Sequence, residues 1–174
     1  MLTKIKESYR LLLASKEFKH KGFLSGAFVT GNSETLEKED WQLDFYNKET
    51  DTMTAYRVKK EAVEVDEDSS VFRDEEKNVD IEELDLSEIK KDYAAIKELL
   101  NTMLEGHRET AVKTSIILQK QNVPIWNIIY ITKNFNLLNI KINAKDGSIL
   151  EDRVINLLSF EKGDYQAPKE IVDS

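Results

Sequence analysis

The sequence predicts an α+β protein built from two tandem repeats, each a helix packed on an antiparallel β-sheet of about four strands. Three observations predict it. First, short motifs recur at a nearly constant offset. "IKESY" (Ile5 to Tyr9) and "IKKDY" (Ile89 to Tyr93) share Ile-Lys-x-x-Tyr, and "WQLDFY" (Trp41 to Tyr46) and "WNIIYI" (Trp126 to Ile131) share Trp-x-apolar-x-aromatic. The offsets are 89 − 5 = 84 and 126 − 41 = 85 residues, and the two tryptophans are the only ones in the chain. Second, apolar residues at helical spacing open each half. Third, runs of alternating polarity follow each helix, as half-buried strands require.

Taken in order, Leu2, Ile5, Tyr9, Leu12 and Leu13 mark the first helix. "LSGAFVTG" (Leu24 to Gly31) reads as a strand. Trp41, Leu43 and Phe45 fall on one face of the next strand, with Gln42 and Asp44 on a wet face. Thr54, Tyr56 and Val58 alternate with Ala55, Arg57 and Lys59. Val63 and Val65 resume after the turn "KKEA". In the second half, Ile89, Tyr93, Ile96, Leu99, Leu100 and Met103 mark a helix. Asp85 with Glu88 resembles a capping box at its start, and Gly106 can close its end. "KTSIILQK" (Lys113 to Lys120) is strand-like. Ile125 to Ile131 is apolar on both faces, which predicts a central or doubly covered strand. Leu138, Ile140 and Ile142 form another alternating run. "AKDGS" then places Asp146-Gly147 where a hairpin into Ile149 and Leu150 needs positive φ angles. The boundaries are therefore a first repeat over 1–65, an acidic connector over 66–86, a second repeat over 87–160 and a tail over 161–174.

The middle-strand residues Trp126, Ile128 and Tyr130, with the Lys145-Asp146-Gly147 turn, resemble the PepSY domain. The resemblance covers Ile89 to Leu150 best and Leu2 to Val65 more faintly. It implies a cystatin-like arrangement, with a helix packed against a curled sheet. PepSY-like proteins are usually secreted or membrane-tethered, and some inhibit or chaperone peptidases.

Composition narrows function by exclusion. The chain has 174 residues, 40% of them apolar, and a net charge of −8. Nucleic acid is not an expected partner, because phosphate contact needs a basic surface. The charge is concentrated. Glu61 to Glu88 holds 13 acidic and 2 basic residues, a balance of −11, which leaves the rest at −8 + 11 = +3. Such a run reads as a solvated connector or as a docking surface for a basic partner. Val71, Phe72, Val79, Ile81 and Leu84 interrupt it, which predicts a crossing anchored by its apolar residues. With no cysteine, disulfides, Cys-ligated zinc and Cys nucleophiles are excluded. The start "MLTKIKESYRLLLASKEF" reads as a folded helix, with no uninterrupted apolar core. No window approaches a membrane span of about 18 apolar residues. A cytoplasmic location without membrane contact is the expectation.

Motifs of chemistry are absent from the sequence. The six glycines form no GxGxxG, GxxxxGK or Gly-x-Ser-x-Gly pattern. "DEDSS" (Asp66 to Ser70) begins like a calcium loop, but its sixth and twelfth places hold Val71 and Lys77, not Gly and Glu. His20 and His107 each follow a helix among charged residues, with no further ligands at metal spacing. Asp44 is the one acid inside a strand among apolar neighbours, and its phase places it in solvent. The tryptophans match the apolar phase and read as core. The expectation is therefore no catalytic, cofactor-binding or metal-ligating residue, and no cofactor. A non-catalytic binding module fits best, reaching an unidentified protein partner through a sheet surface or the acidic connector. The alternative is a small-ligand carrier or enzyme with a pocket between helix and curled sheet.

Overall fold

A computed structural model describes residues 1–19, 21–59, 62–70 and 80–162. The elements are α1 (Leu2–Leu13), β1 (Phe23–Asn32), β2 (Gln42–Asn47), β3 (Thr52–Val58), β4 (Val63–Ser70), α2 (Tyr93–Gly106), β5 (Ala111–Gln121), β6 (Val123–Thr132), β7 (Asn136–Asn143) and β8 (Ile149–Asn156). Short 3-10 turns lie at Leu36–Lys38 and Leu157–Lys162.

The expectation of two tandem helix-on-sheet repeats, each with its own sheet of about four strands, is overturned. All eight strands form one antiparallel sheet in the order β4-β3-β2-β1-β5-β6-β7-β8. The physical reason lies at its middle. β1 and β5 pair along seven positions, from Gly26 opposite Gln119 to Asn32 opposite Lys113. Neither strand is an edge. Each carries apolar side chains that a four-stranded unit would leave against solvent, and pairing them satisfies a full row of backbone groups. Side chains reinforce the seam. Thr30 Oγ1 lies 2.8 Å from Ser115 Oγ, and Ser33 Oγ lies 2.6 Å from Thr114 Oγ1.

Both helices lie on one face of this sheet. Ala27, Val29, Leu43, Ile116, Leu118, Ile128, Leu138 and Ile140 point to that face and are almost wholly buried. Ile5 and Leu12 of α1 and Ile96 and Leu100 of α2 close over them. Beneath α1, Phe45 stacks with Tyr9 at 6.2 Å and meets Phe18 and Tyr56 edge-on at 5.0 and 5.6 Å. Beneath α2, Tyr93 meets Trp126 at 6.3 Å. Trp126 in turn meets Trp41 at 6.5 Å across the seam, so the two tryptophans join the two ends of one core. Both are core residues, 1% and 0% exposed.

α2 begins later than the capping-box pattern suggests. Residues 85–92 are not helical. Asp85 accepts from the Ser87 amide at 2.7 Å in a local turn, and the N-cap is Asp92. Asp92 Oδ1 accepts from Tyr93 N at 2.6 Å and also from Leu2 N at 2.9 Å, so one carboxylate serves the first turn of both helices. The Asp146-Gly147 turn also differs from a two-residue hairpin. Only Gly147 has positive φ, at 85°, and the loop spans five residues. Its first residue, Ala144, is buried, and its carbonyl accepts from both Lys90 N and Lys91 N at 2.9 and 2.8 Å. The turn is thus a clamp for the strap that leads into α2. The start of the expected acidic connector, Asp66 to Ser70, belongs to β4. His20, Val71, Phe72 and Val79, and the tail beyond Lys162, lie outside the described residues.

Two outcomes follow from this packing. Urea unfolding should show a single transition, because one sheet cannot lose half its strands independently, and Ile116→Ala at the seam should lower the unfolding free energy by about 2–4 kcal/mol. Two resolved transitions would contradict a shared core. Asp92→Ala should cost about 1–3 kcal/mol, because it removes the cap of α2 and the acceptor for α1 together. Asp92→Asn, which keeps an acceptor oxygen, should recover most of that loss in the same titration.

Candidate functional site

With both helices on one face, strand alternation sends every second side chain to the other face. Among the described residues no helix covers it. β6 shows the consequence. Trp126, Ile128 and Tyr130 enter the core, while Ile125, Asn127, Ile129 and Ile131 point the opposite way. β6 is an interior strand, as its double apolar pattern predicts; on its outer side Ile125 and Asn127 are buried, while Ile129 and Ile131 reach toward solvent. Phe28 on β1, Ile117 on β5, Ile129 on β6 and Leu137 on β7 are half-buried and form a band across four neighbouring strands. Ile131 is 38% exposed.

Polar atoms interrupt this band. Asn127 is only 8% exposed, and its Oδ1 has no hydrogen-bond partner among the described residues. Asn139, one strand over, donates through Nδ2 to Glu151 at 2.9 Å, but its Oδ1 is likewise buried and unpartnered. A buried acceptor without a donor costs about 1–3 kcal/mol.

One end of the outer face is occupied. Asp80, Ile81 and Glu82 cross it beside Ser25, Asp44 and Ile117, leaving a cleft of about 220 Å³. The crossing is pinned at both sides of the sheet end. Glu82 accepts from Asn122 N at 2.6 Å, and Leu84 N donates to Leu24 O at 2.7 Å. The strap then passes to the helix side, where Leu84, Leu86 and Ile89 are buried, as the apolar interruptions predict for Leu84. It meets Trp126 there, whose Nε1–H donates to Lys91 O at 2.8 Å.

Asp44 departs from its expected solvated state for this reason. The strap shields it, and burial pushes its carboxyl above the usual range, partly opposed by the hydrogen bond from Gln42 Nε2 at 2.8 Å. A second cleft, of about 570 Å³, lies between α1 and the strap, with Lys6, Tyr9, Glu83 and Lys120 on its walls. Two of its charged residues, Glu88 and Lys120, are already paired. Glu88 lies 3.1 Å from Lys145 and 3.2 Å from Lys120, and hydrogen bonds from these two lysines hold its carboxyl below the usual range.

Two further groups of titratable side chains are set by their surroundings. Tyr93 and Tyr130 are hydrogen-bonded to each other in the core, and burial pushes both hydroxyls up, so both stay protonated at neutral pH. His107 is the C-cap of α2, with Nε2 2.9 Å from Asp152 Oδ1. Among the described residues, no three His, Asp or Glu side chains gather as a metal site would require. No described helix is long and apolar enough to cross a membrane. The sequence points to a sheet surface as a contact but not to this outer face in particular. Its signal was present in the odd-numbered residues of β6, which alternate Ile, Asn, Ile, Ile.

No family model matches the chain, and no curated protein does. A crystal structure of a protein described as a "putative lipoprotein" from Clostridium difficile 630 is similar in fold, with a TM-score of 0.50 and 15% identity. The match covers 86% of this chain and 92% of that one. The likeness is one of fold.

The Asp44 environment yields a signed outcome. Because its folded-state pKa is raised, the native state binds more protons than the unfolded state between the two pKa values, and stability falls as pH rises through that window. Asp44→Asn should therefore be more stable than the natural chain at pH 7, with the advantage fading as pH drops below the ordinary aspartate pKa of about 3.9. Chemical denaturation at both pH values checks it. An Asn variant less stable at pH 7 would show that the ionised carboxylate is a favourable partner here.

Proposed function

We propose that the protein is a non-catalytic binding module that engages a protein partner through the outer, helix-free face of its sheet. The observation that carries this reading is the composition of that face. Phe28, Ile117, Ile129 and Leu137 leave a half-exposed apolar band in the middle of the sheet, with the unpartnered acceptors of Asn127 and Asn139 inside it. Covering apolar surface stabilises by about 25 cal/mol per Å². Mixed apolar and polar surfaces of this kind suit protein recognition, where a dry centre is ringed by hydrogen bonds.

The carrier or enzyme alternative draws less support. The space between helices and sheet is filled by Trp41, Trp126, Leu43, Ile128 and Leu100, each no more than 1% exposed. The acidic strap is also a weaker candidate for a basic partner over its described part. Glu82, Asp85 and Glu88 already serve backbone amides or lysines of the same chain.

The reading is tested by Ile129→Lys combined with Leu137→Lys. Immobilised natural protein should retain partners from an extract of its source that the double variant does not. The variant's melting temperature should stay within about 4 °C, as expected for half-exposed positions. Equal retention by both proteins would remove the outer face as the contact. A metabolite that raises the melting temperature of both proteins alike would move the reading to the carrier alternative.

A further inference from the structure

The sheet has two edge strands, and they are guarded very differently. β4 reads "VEVDEDSS", with four acids in eight residues. Pairing β4 with a second β4 would set like charges against each other, a common way to keep an edge unpaired. β8 reads "ILEDRVIN". It carries both signs of charge, and it exposes Ile149, Leu150 and Val154 at 48%, 47% and 42%. Leu158, just beyond it, is 60% exposed. β8 pairs with β7 from Asn136 opposite Asn156 to Ile142 opposite Ile149, with an irregularity only at Leu150. Its outer row of backbone groups faces no other described strand.

We propose that β8 is a self-association edge, where a second copy of this chain pairs antiparallel about a two-fold axis at Asp152. The register follows from the residues. A two-fold axis perpendicular to the sheet sets residue i opposite residue 304 − i, so each strand face meets its own kind. Glu151 then lies opposite Arg153 of the second copy, and Arg153 opposite its Glu151, giving two opposite-charge pairs on the outer face. Val154 lies on the helix side, opposite Leu138 of its own chain, and with Ile149 and Leu150 it supplies exposed apolar surface on both sides of the axis. The neighbouring registers are worse. An axis at Glu151 or Arg153 sets two acids or two guanidinium groups face to face. The one like pair at the chosen axis is Asp152 with itself, and each Asp152 brings His107 at 2.9 Å from its own chain. Glu151 is already oriented by Lys141 at 2.7 Å and by Asn139, and a carboxylate has lone pairs left for a third donor. The product is one continuous sheet across two chains, with the outer faces of both on the same side.

The test uses the full chain and its freedom from cysteine. Sedimentation equilibrium up to about 1 mM reads the association directly. The natural chain should form a dimer in this range. Arg153→Glu should weaken it about 30-fold, as two attractive cross-strand pairs become repulsive, and Arg153→Glu with Glu151→Arg should restore it. Asp152→Cys places two thiols at the axis, where antiparallel partners have Cα atoms about 4.5–5.5 Å apart, inside the disulfide range. It should oxidise to a covalent dimer much faster than Glu98→Cys on the exposed side of α2. A chain that stays monomeric to about 1 mM overturns the proposal whatever the cysteine variants do. So does a dimer that Arg153→Glu leaves unchanged and that Asp152→Cys fails to cross-link.

Discussion

The pairing of β1 with β5 is the constraint on which the rest of this molecule depends. It turns two sets of four strands into one sheet, and it brings Trp41 and Trp126 within reach of each other over the seam. Without it, Val29 and Ile116 would sit at the exposed margins of separate sheets. With it, they lie at the centre of a core that runs from Tyr56 on one side to Ile140 on the other. The helices then have a single continuous surface to cover, and both take the same face.

That choice of face explains the strap between Asp80 and Asp92. From Asp80 the strap lies across the outer face, rounds the end of the sheet and is held at each stage by backbone groups of other elements: Leu24, Asn122 and Ala144. Asp92 ends the strap, and through Leu2 N it fixes the start of α1 to the start of α2. The carboxylates along the strap are therefore mostly structural acceptors, and the shielding of Asp44 is a by-product of the same route.

Much of the strand layout was legible in the sequence, because a half-buried strand writes a period of two into its residues. Leu138, Ile140 and Ile142 are an example, as are Leu43 and Phe45. The assembly of the strands was not legible. Alternation reveals which face of a strand is buried but not which strand lies beside it, and pairing of β1 with β5 joins residues more than eighty positions apart. The start of α2 was misplaced because Ile89 is buried at a position that also suits helical spacing, although it packs from an extended strap. Asp44 looked solvated because phase alone cannot show that a distant segment lies over it. The outer face was hidden for a related reason: an apolar residue on the second face of a strand reads as doubly buried until the absence of a covering helix is seen.

The order of the strands also has a consequence for how the chain is made. β1 is complete once the first thirty-odd residues have formed, yet its partner β5 starts only at Ala111. During synthesis from the N-terminus, β2 to β4 can fold onto one side of β1 while its other side stays open. For that interval β1 is a bare margin bearing Phe28 and Val29, and it becomes interior only when the second half emerges. Nascent chains of this protein thus pass through a stage with an unpaired apolar strand, the type of intermediate that aggregates or recruits chaperones. The completed sheet retains no trace of that exposure, because the vulnerable strand ends up at its centre.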